Sequence, residues 1–198
     1  IIAITDDSTV DTSSGVVLDG VILKAPEGSS MLTPATTLMK EGNLTATQVV
    51  AVLGLPDTVN PMTFDAFASD VNATEALAVE KASHQIMSVI NAFAAAVEGS
   101  GASQSDSFKT ALGSVVEVIK VNAAANTTID LANNADLNSI KTQVLQDVTS
   151  VVNANVTAFN DMADSTTTAI FNVNAKIKNV TDIGSASAKN VFSTAQVL

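Results

Sequence analysis

His84 is the only histidine of the chain, and Glu80 precedes it by one helical turn. A histidine and a carboxylate at that spacing can pass a proton between them, which is the raw material of acid–base chemistry. Hydrolysis would further need an activated nucleophile and an oxyanion site. No Gly-x-Ser-x-Gly stretch occurs, and none of the abundant Ser and Thr sits in an activating context. The simpler reading of His84 is a helix-face histidine held by Glu80. A single histidine also rules out His-Glu-x-x-His zinc chemistry, and the absence of Cys removes disulfides, thiol nucleophiles and thiolate metal sites. Glycine-rich phosphate cradles are missing as well. The chain is therefore not expected to be an enzyme or to carry an organic cofactor.

Acidic side chains are the other candidate ligands. Asp6, Asp7, Asp11 and Asp19 lie in a polar, extended segment, where carboxylate and carbonyl oxygens could together hold calcium. Asp57, Asp65 and Asp70 form a weaker second group. Neither follows the EF-hand spacing, and each supplies fewer oxygens than the roughly six calcium takes, so solvated loop carboxylates are the competing reading. Asn-x-Ser/Thr triplets begin at Asn43, Asn72, Asn126, Asn155 and Asn179. They are glycan acceptors where the machinery exists, although a chain so rich in Asn and Thr makes such triplets by chance.

Charge and composition narrow the partners. The net charge is −11, and every basic residue is lysine. Without arginine there is no bidentate fork for phosphate, and a strongly acidic chain repels both nucleic acid and an anionic membrane surface. The most apolar stretch, residues 86–97, is too short and too polar to span a bilayer. Polar positions favour Asn, Thr, Ser and Asp, which suits an extracellular or saline setting. The sequence opens on Ile1 rather than Met, as expected of a processed or excised piece.

These residues must be positioned by elements read from pattern. Residues 1–30 read as extended, with Asp19-Gly20 between the apolar runs of "VVLDGVIL" as a hairpin turn. Pro34 opens a short helix to about Lys40, closed by Gly42. Thr45 and Gln48 form a capping box for a second short helix, Leu44 and Val49 a hydrophobic staple, and Gly54 the left-handed residue that ends it before Pro56. Residues 57–71 read as a loop. Asn72 with Glu75 starts a long helix to about Val97, and Ser103 with Asp106 starts the next. From Ser114 to Ile183 there is neither Gly nor Pro. Leu137, Ile140, Val144, Val148, Val151, Val152, Val156 and Phe159 recur at helical spacing there, with a turn expected over 122–136. Residues 168–181 fit helix or strand, helix being favoured, and the C-terminal residues read as a short helix.

Four phrases carry a resemblance. They are Leu23-Lys24-Ala25-Pro26-Glu27-Gly28, Thr33-Pro34-Ala35-Thr36-Thr37-Leu38, Gly42-Asn43-Leu44-Thr45 and Leu53-Gly54-Leu55-Pro56. Over residues 12–97 the chain resembles a helical linker-type module of large bacterial secreted or surface adhesin-like proteins. The resemblance implies an extracellular location and a non-enzymatic role.

The resulting expectation is a mainly α fold: an antiparallel helical bundle over 31–198 with a small N-terminal β element, strand or hairpin, in 1–30. The expected function is a structural module or subunit of a bacterial surface assembly such as an adhesin, fibre or surface layer. Its partners would be copies of itself or neighbouring modules. The alternative is an extracellular ligand-binding module using an inter-helix groove. The apolar start, Ile1, Ile2 and Ile4, is expected to be buried as a strand, against this chain's own hairpin or against a neighbouring subunit, since burying each isoleucine gains about 1.5–3 kcal/mol.

Overall fold

The structure is a computed structural model and describes residues 1–18 and 20–196. Two short strands, β1 (Ile2–Ile4) and β2 (Ile22–Lys24), precede seven helices: α1 (Pro34–Gly42), α2 (Ala46–Leu53), α3 (Ala73–Gly99), α4 (Gln104–Ala125), α5 (Asn134–Val148), α6 (Val156–Lys178) and α7 (Ala186–Gln196). Helix accounts for 59% of the described residues. The expected mainly α architecture with a small N-terminal β element is what forms.

Helices α3 to α6 make an up-down-up-down four-helix body. Successive helices pack on each other, and α6 returns against α3 to close the ring. The antiparallel sense of that closure is visible in its contacts: Lys81 near the start of α3 donates to the carbonyl of Lys178 at the end of α6. Fully buried Ile86, Phe93, Ile119, Leu137, Ile140, Phe159 and Ile170 fill the interior. With so few aromatic rings available, aliphatic stripes carry most of this burial. One polar knot crosses the core. Asn174 of α6 donates to the carbonyl of Leu131 at 2.7 Å and accepts from Ser88 of α3, tying two helices to the α4–α5 loop.

Local chemistry starts and stops these helices largely as read. The Thr45/Gln48 box forms with both reciprocal bonds, and Gly54 ends α2 at φ +62°. Asn72 and Ser103 cap α3 and α4 through their side-chain oxygens. Glu75 does not complete a box with Asn72; its carboxylate accepts from Thr58 at 2.6 Å. A further box, Thr33 with Thr36, opens α1. Its N3 residue is threonine rather than the Glu or Gln of the usual signature, so the sequence pattern does not flag it.

Three expectations need correction. Gly42 does not close α1: it is the last helical residue, and Asn43 takes the left-handed conformation at φ 50°. Gly42 is small for another reason, since a Cβ there would meet Leu44 at 3.0 Å and Val116 at 3.3 Å. The stretch 137–159 is not one helix. It breaks at 149–155, between α5 and α6, with Asn153 at φ 64°. Asparagine tolerates the left-handed region because its short amide bonds locally, so a chain without Gly or Pro can still turn. Val152 of the supposed stripe is consequently 72% exposed. The break is held by tertiary contact: Asn155 N–H donates to Ser100 O at 2.8 Å, and a Cβ on Gly101 (φ +112°) would lie 2.7 Å from Asn153 O. The α3–α4 and α5–α6 turns thus lock together at one end of the body.

The third correction concerns the β element. The runs of "VVLDGVIL" do not pair with each other. Val17 bridges to Val10, and Ile22–Lys24 pairs antiparallel with Ile2–Ile4, Ile4 opposite Ile22. Residues 1–10 therefore form one ribbon with 17–18 and 20–25 that reverses over 11–16, where Asp11 N–H donates to Val16 O. Asp19 of the expected Asp19-Gly20 turn lies outside the described residues. Residues 168–178 are helical, as favoured, and α7 forms the expected C-terminal helix.

Candidate functional site

The ribbon has two unlike faces. Ile1 and Ala25 exchange backbone hydrogen bonds in both directions, and Thr5 N–H donates to Val21 O. Antiparallel alternation then leaves Ile2 and Ile4 in non-hydrogen-bonded pairs, with their N–H and C=O groups directed away from β2. Their side chains share the outer face with Ile22. The far edge of β2 is closed, because Thr37 Oγ1 accepts from Lys24 N–H at 2.9 Å and donates to Lys24 O at 3.2 Å. The far edge of β1 has no such cover among the described residues.

Ile1, Ile2 and Ile4 do form the expected strand with the chain's own ribbon, but they are not buried. They are 55%, 63% and 71% exposed. The inner face is occupied instead by Leu23 and the fully buried Ala25. The helical body covers one face of a two-stranded ribbon, and the period of two puts Ile2 and Ile4 on the other.

Beneath the inner face lies a cavity of about 280 Å³ between the ribbon, the 64–67 loop, α3 and the end of α7. Here the structure joins residues that the sequence keeps apart. His84 is 4% exposed and stacks on Phe192 of α7, centroids 4.1 Å apart and planes 7° from parallel. Its Nε2 lies 2.6 Å from Ser13 Oγ, 3.9 Å from Asp11 Oδ2 and 3.8 Å from Glu80 Oε2. The Ser13 hydroxyl, the Ser14 N–H and the Gln196 amide all donate to Asp11. Ser13 Oγ thus bridges Asp11 and His84: with its proton on Asp11 the ring donates from Nε2, and in the other tautomer the hydroxyl donates to Nε2. Burial pushes His84 down to about 4, only partly countered by Asp11, so the ring is neutral at pH 7. Burial first, then repulsion from Asp11 and Asp65, pushes Glu80 up to about 7, against the hydrogen bond from Ser13.

This is not a hydrolytic triad. A catalytic histidine accepts the serine proton on one ring nitrogen while a carboxylate orients the other. Here Ser13, Asp11 and Glu80 all approach the same nitrogen, Nε2, so neither carboxylate is placed to orient the ring from the other side. The Glu80–His84 pairing read from spacing is present as a 3.8 Å approach to a neutral ring, within a larger network containing Ser13, Asp11 and Gln196. Ser13 lies 71 residues from His84, and no sequence signal points to it. Only its place in the "DTSSG" turn marks it as a loop residue.

The acidic groups part company. Asp6 caps its own turn, accepting from the Ser8 N–H and hydroxyl, and those bonds hold its carboxyl below the ordinary value. Asp11 turns inward to the network, and Asp65 reaches the cavity mouth. Asp7, Asp57 and Asp70 are exposed. Among the described residues no group of His, Asp and Glu is placed to hold a metal ion. The five triplet asparagines are all exposed and all cap helices: Asn72 and Asn155 at N-termini, Asn43, Asn126 and Asn179 at C-termini. Capping by itself accounts for asparagine at those positions. No helix is long and apolar enough to cross a membrane, among the described residues. No protein-family model, no curated protein and no solved structure matches this chain.

Proposed function

We propose that this chain is a non-enzymatic structural module of an extracellular bacterial surface assembly, such as an adhesin, fibre or surface layer, in which the open edge of β1 pairs with a neighbouring copy or module. The observation that carries the reading is the combination at Ile2 and Ile4. Their backbone groups face outward from a strand with no neighbour on that side among the described residues, and their side chains are 63% and 71% exposed. Added strands form on such edges through main-chain hydrogen bonds, with alternate side chains supplying the apolar contact. The cell-surface setting rests on the resemblance of residues 12–97 and on a polar surface built from Asn, Thr, Ser and Asp.

Sedimentation velocity over a concentration series tests the reading. The full chain is expected to associate with rising concentration, and the Ile2→Lys/Ile4→Lys double variant to stay monomeric with its helical circular dichroism unchanged. Association that survives in the double variant, or a wild-type chain that stays monomeric at the highest concentration, overturns the proposal. The second reading, a ligand-binding module, is favoured by the cavity over His84 and Glu80. That cavity lies between the ribbon and α3 rather than between two helices.

A further inference from the structure

The cavity beneath the ribbon combines apolar walls with unbalanced negative charge. Leu23, Met31, Phe64, Val79 and Met87 supply much of its wall, while Asp11, Asp65 and Glu80 supply carboxylates from three different parts of the chain. No lysine lines it, and none lies within ion-pair distance of these three carboxylates, among the described residues. Lys24 on β2 turns the other way and pairs with Glu41 at 2.7 Å. Lys189 of α7 is not part of the lining, and its Nζ would lie 3.1 Å from a Cβ on Gly15. The other polar side chains of the lining, Thr12, Thr33, Ser83, Gln196 and His84, carry no positive charge at pH 7, and His84 Nε2 is taken up by Ser13.

A binding cavity is usually largely apolar with a few convergent polar groups, and this one has that character at the small end of the size range. Its charged groups are all carboxylates. A neutral or anionic guest would leave the half-buried Glu80 facing Asp11 and Asp65 with no compensating charge. A guest with an ammonium head would supply the missing charge and donors, and its hydrocarbon body would cover the walls. Phe67, 48% exposed beside Asp65 at the mouth, is out of place as a core residue and suited to a cation passing over its face.

We propose that the cavity between the N-terminal ribbon and α3 binds a small organic ammonium ion, with the cationic head at Glu80, Asp11 and Asp65 and an apolar body of about a benzene ring and two carbons against Leu23, Met31 and Met87. The site is separate from the outer edge of β1. It holds whether or not that edge assembles, so the two proposals fail independently.

The test uses the full chain at pH 8 and isothermal titration with phenethylammonium as probe, and 2-phenylethanol as its neutral counterpart. Phenethylammonium is expected to bind, 2-phenylethanol to bind at least about tenfold more weakly, and Glu80→Gln to weaken the ammonium by about tenfold or more, as loss of a charge-assisted hydrogen bond does. Asp65→Asn, an exposed change at the mouth, should weaken it less. Asp164→Asn, which lies on the helical body and pairs with Lys141, should leave it unchanged. Binding should also strengthen from pH 6 to pH 8 as Glu80 gives up its proton. Equal affinity for the alcohol, equal loss in Asp164→Asn, or no heat from phenethylammonium at millimolar concentration overturns the proposal. Should Glu80→Gln fail to fold, the alcohol comparison and Asp65→Asn on their own decide it.

Discussion

On the four-helix body, carboxylates meet lysines: Lys141 lies 2.7 Å from Asp164, Lys178 2.6 Å from Asp130 and Lys120 2.9 Å from Glu117. Its largest side chains, Phe93 and Phe159, are wholly buried. Around the ribbon, the carboxylates of Asp11, Asp65 and Glu80 gather at a cavity without a lysine, and three isoleucines are more than half exposed. Burial and pairing are the ordinary ways a chain lowers its own free energy. The body uses both. At the ribbon, charge and apolar surface stay exposed or unpaired among the described residues, and both proposals are made there.

The largest expected effect lies in the body. Phe159→Ala should cost about 3–5 kcal/mol, because the side chain is fully buried and its neighbours come from packed helices that cannot close the void. Urea denaturation followed by circular dichroism measures it. A cost below about 1 kcal/mol would mean the body is as loosely completed as the ribbon.

Next come the two titrating groups beneath the ribbon. Glu80 is raised from its ordinary 4.5 to about 7, and His84 is lowered from 6.5 to about 4. Between pH 4.5 and 6.5 the unfolded chain carries a proton on His84, and the folded chain carries one on Glu80. The count is equal, so the pair leaves stability flat in that window. Glu80→Gln removes only the acid. The depressed histidine then makes stability fall as pH drops from about 6.5 to about 4. His84→Gln has the opposite effect: the contribution of Glu80 is full below 4.5 and lost as pH rises to about 7. Each slope sums to on the order of 3 kcal/mol. Stability profiles from pH 4 to 7.5 that run parallel in both variants would show that the two groups do not oppose each other.

A smaller effect tests the local rules. Thr45→Ala removes the side-chain acceptor for Gln48 N–H and should cost ~1 kcal/mol. An unmoved denaturation midpoint would mean that α2 is held by packing alone. The smallest belongs to the ribbon again. Ile4→Ser should change the stability of the monomer by less than about 0.5 kcal/mol, because its side chain is 71% exposed. A loss of 2 kcal/mol or more would place that side chain in an intramolecular core and remove the contrast between the two regions.

Much of this could be read along the chain. The Thr45/Gln48 box, the caps at Asn72 and Ser103 and the left-handed Gly54 each depend on residues within five positions of one another, and each forms. So do the helical stripes of α3 and α4, because a period of 3.6 is a property of the segment itself. The break at 149–155 was less legible. Asn153 is one of many asparagines, and what selects it is the opposing turn at Gly101, which lies 52 positions away in sequence.

The site was the least legible part. Glu80 and His84 are visible as a pair because one helical turn brings them together. Sequence pattern assigns Asp11 and Asp65 only to polar loops and Phe192 only to a terminal helix, and nothing local sends Asp11 and Phe192 to His84 or Asp65 to Glu80. Their meeting depends on where the ribbon and α7 dock on α3, a balance of packing among elements distant in sequence. The same docking decided which face of the ribbon stays wet. Alternation along the strand determined that Ile2 and Ile4 share a face, since successive side chains must point to opposite sides. Which side received the helices was set by the tertiary fold, because a two-stranded ribbon offers both faces and this body covers only one.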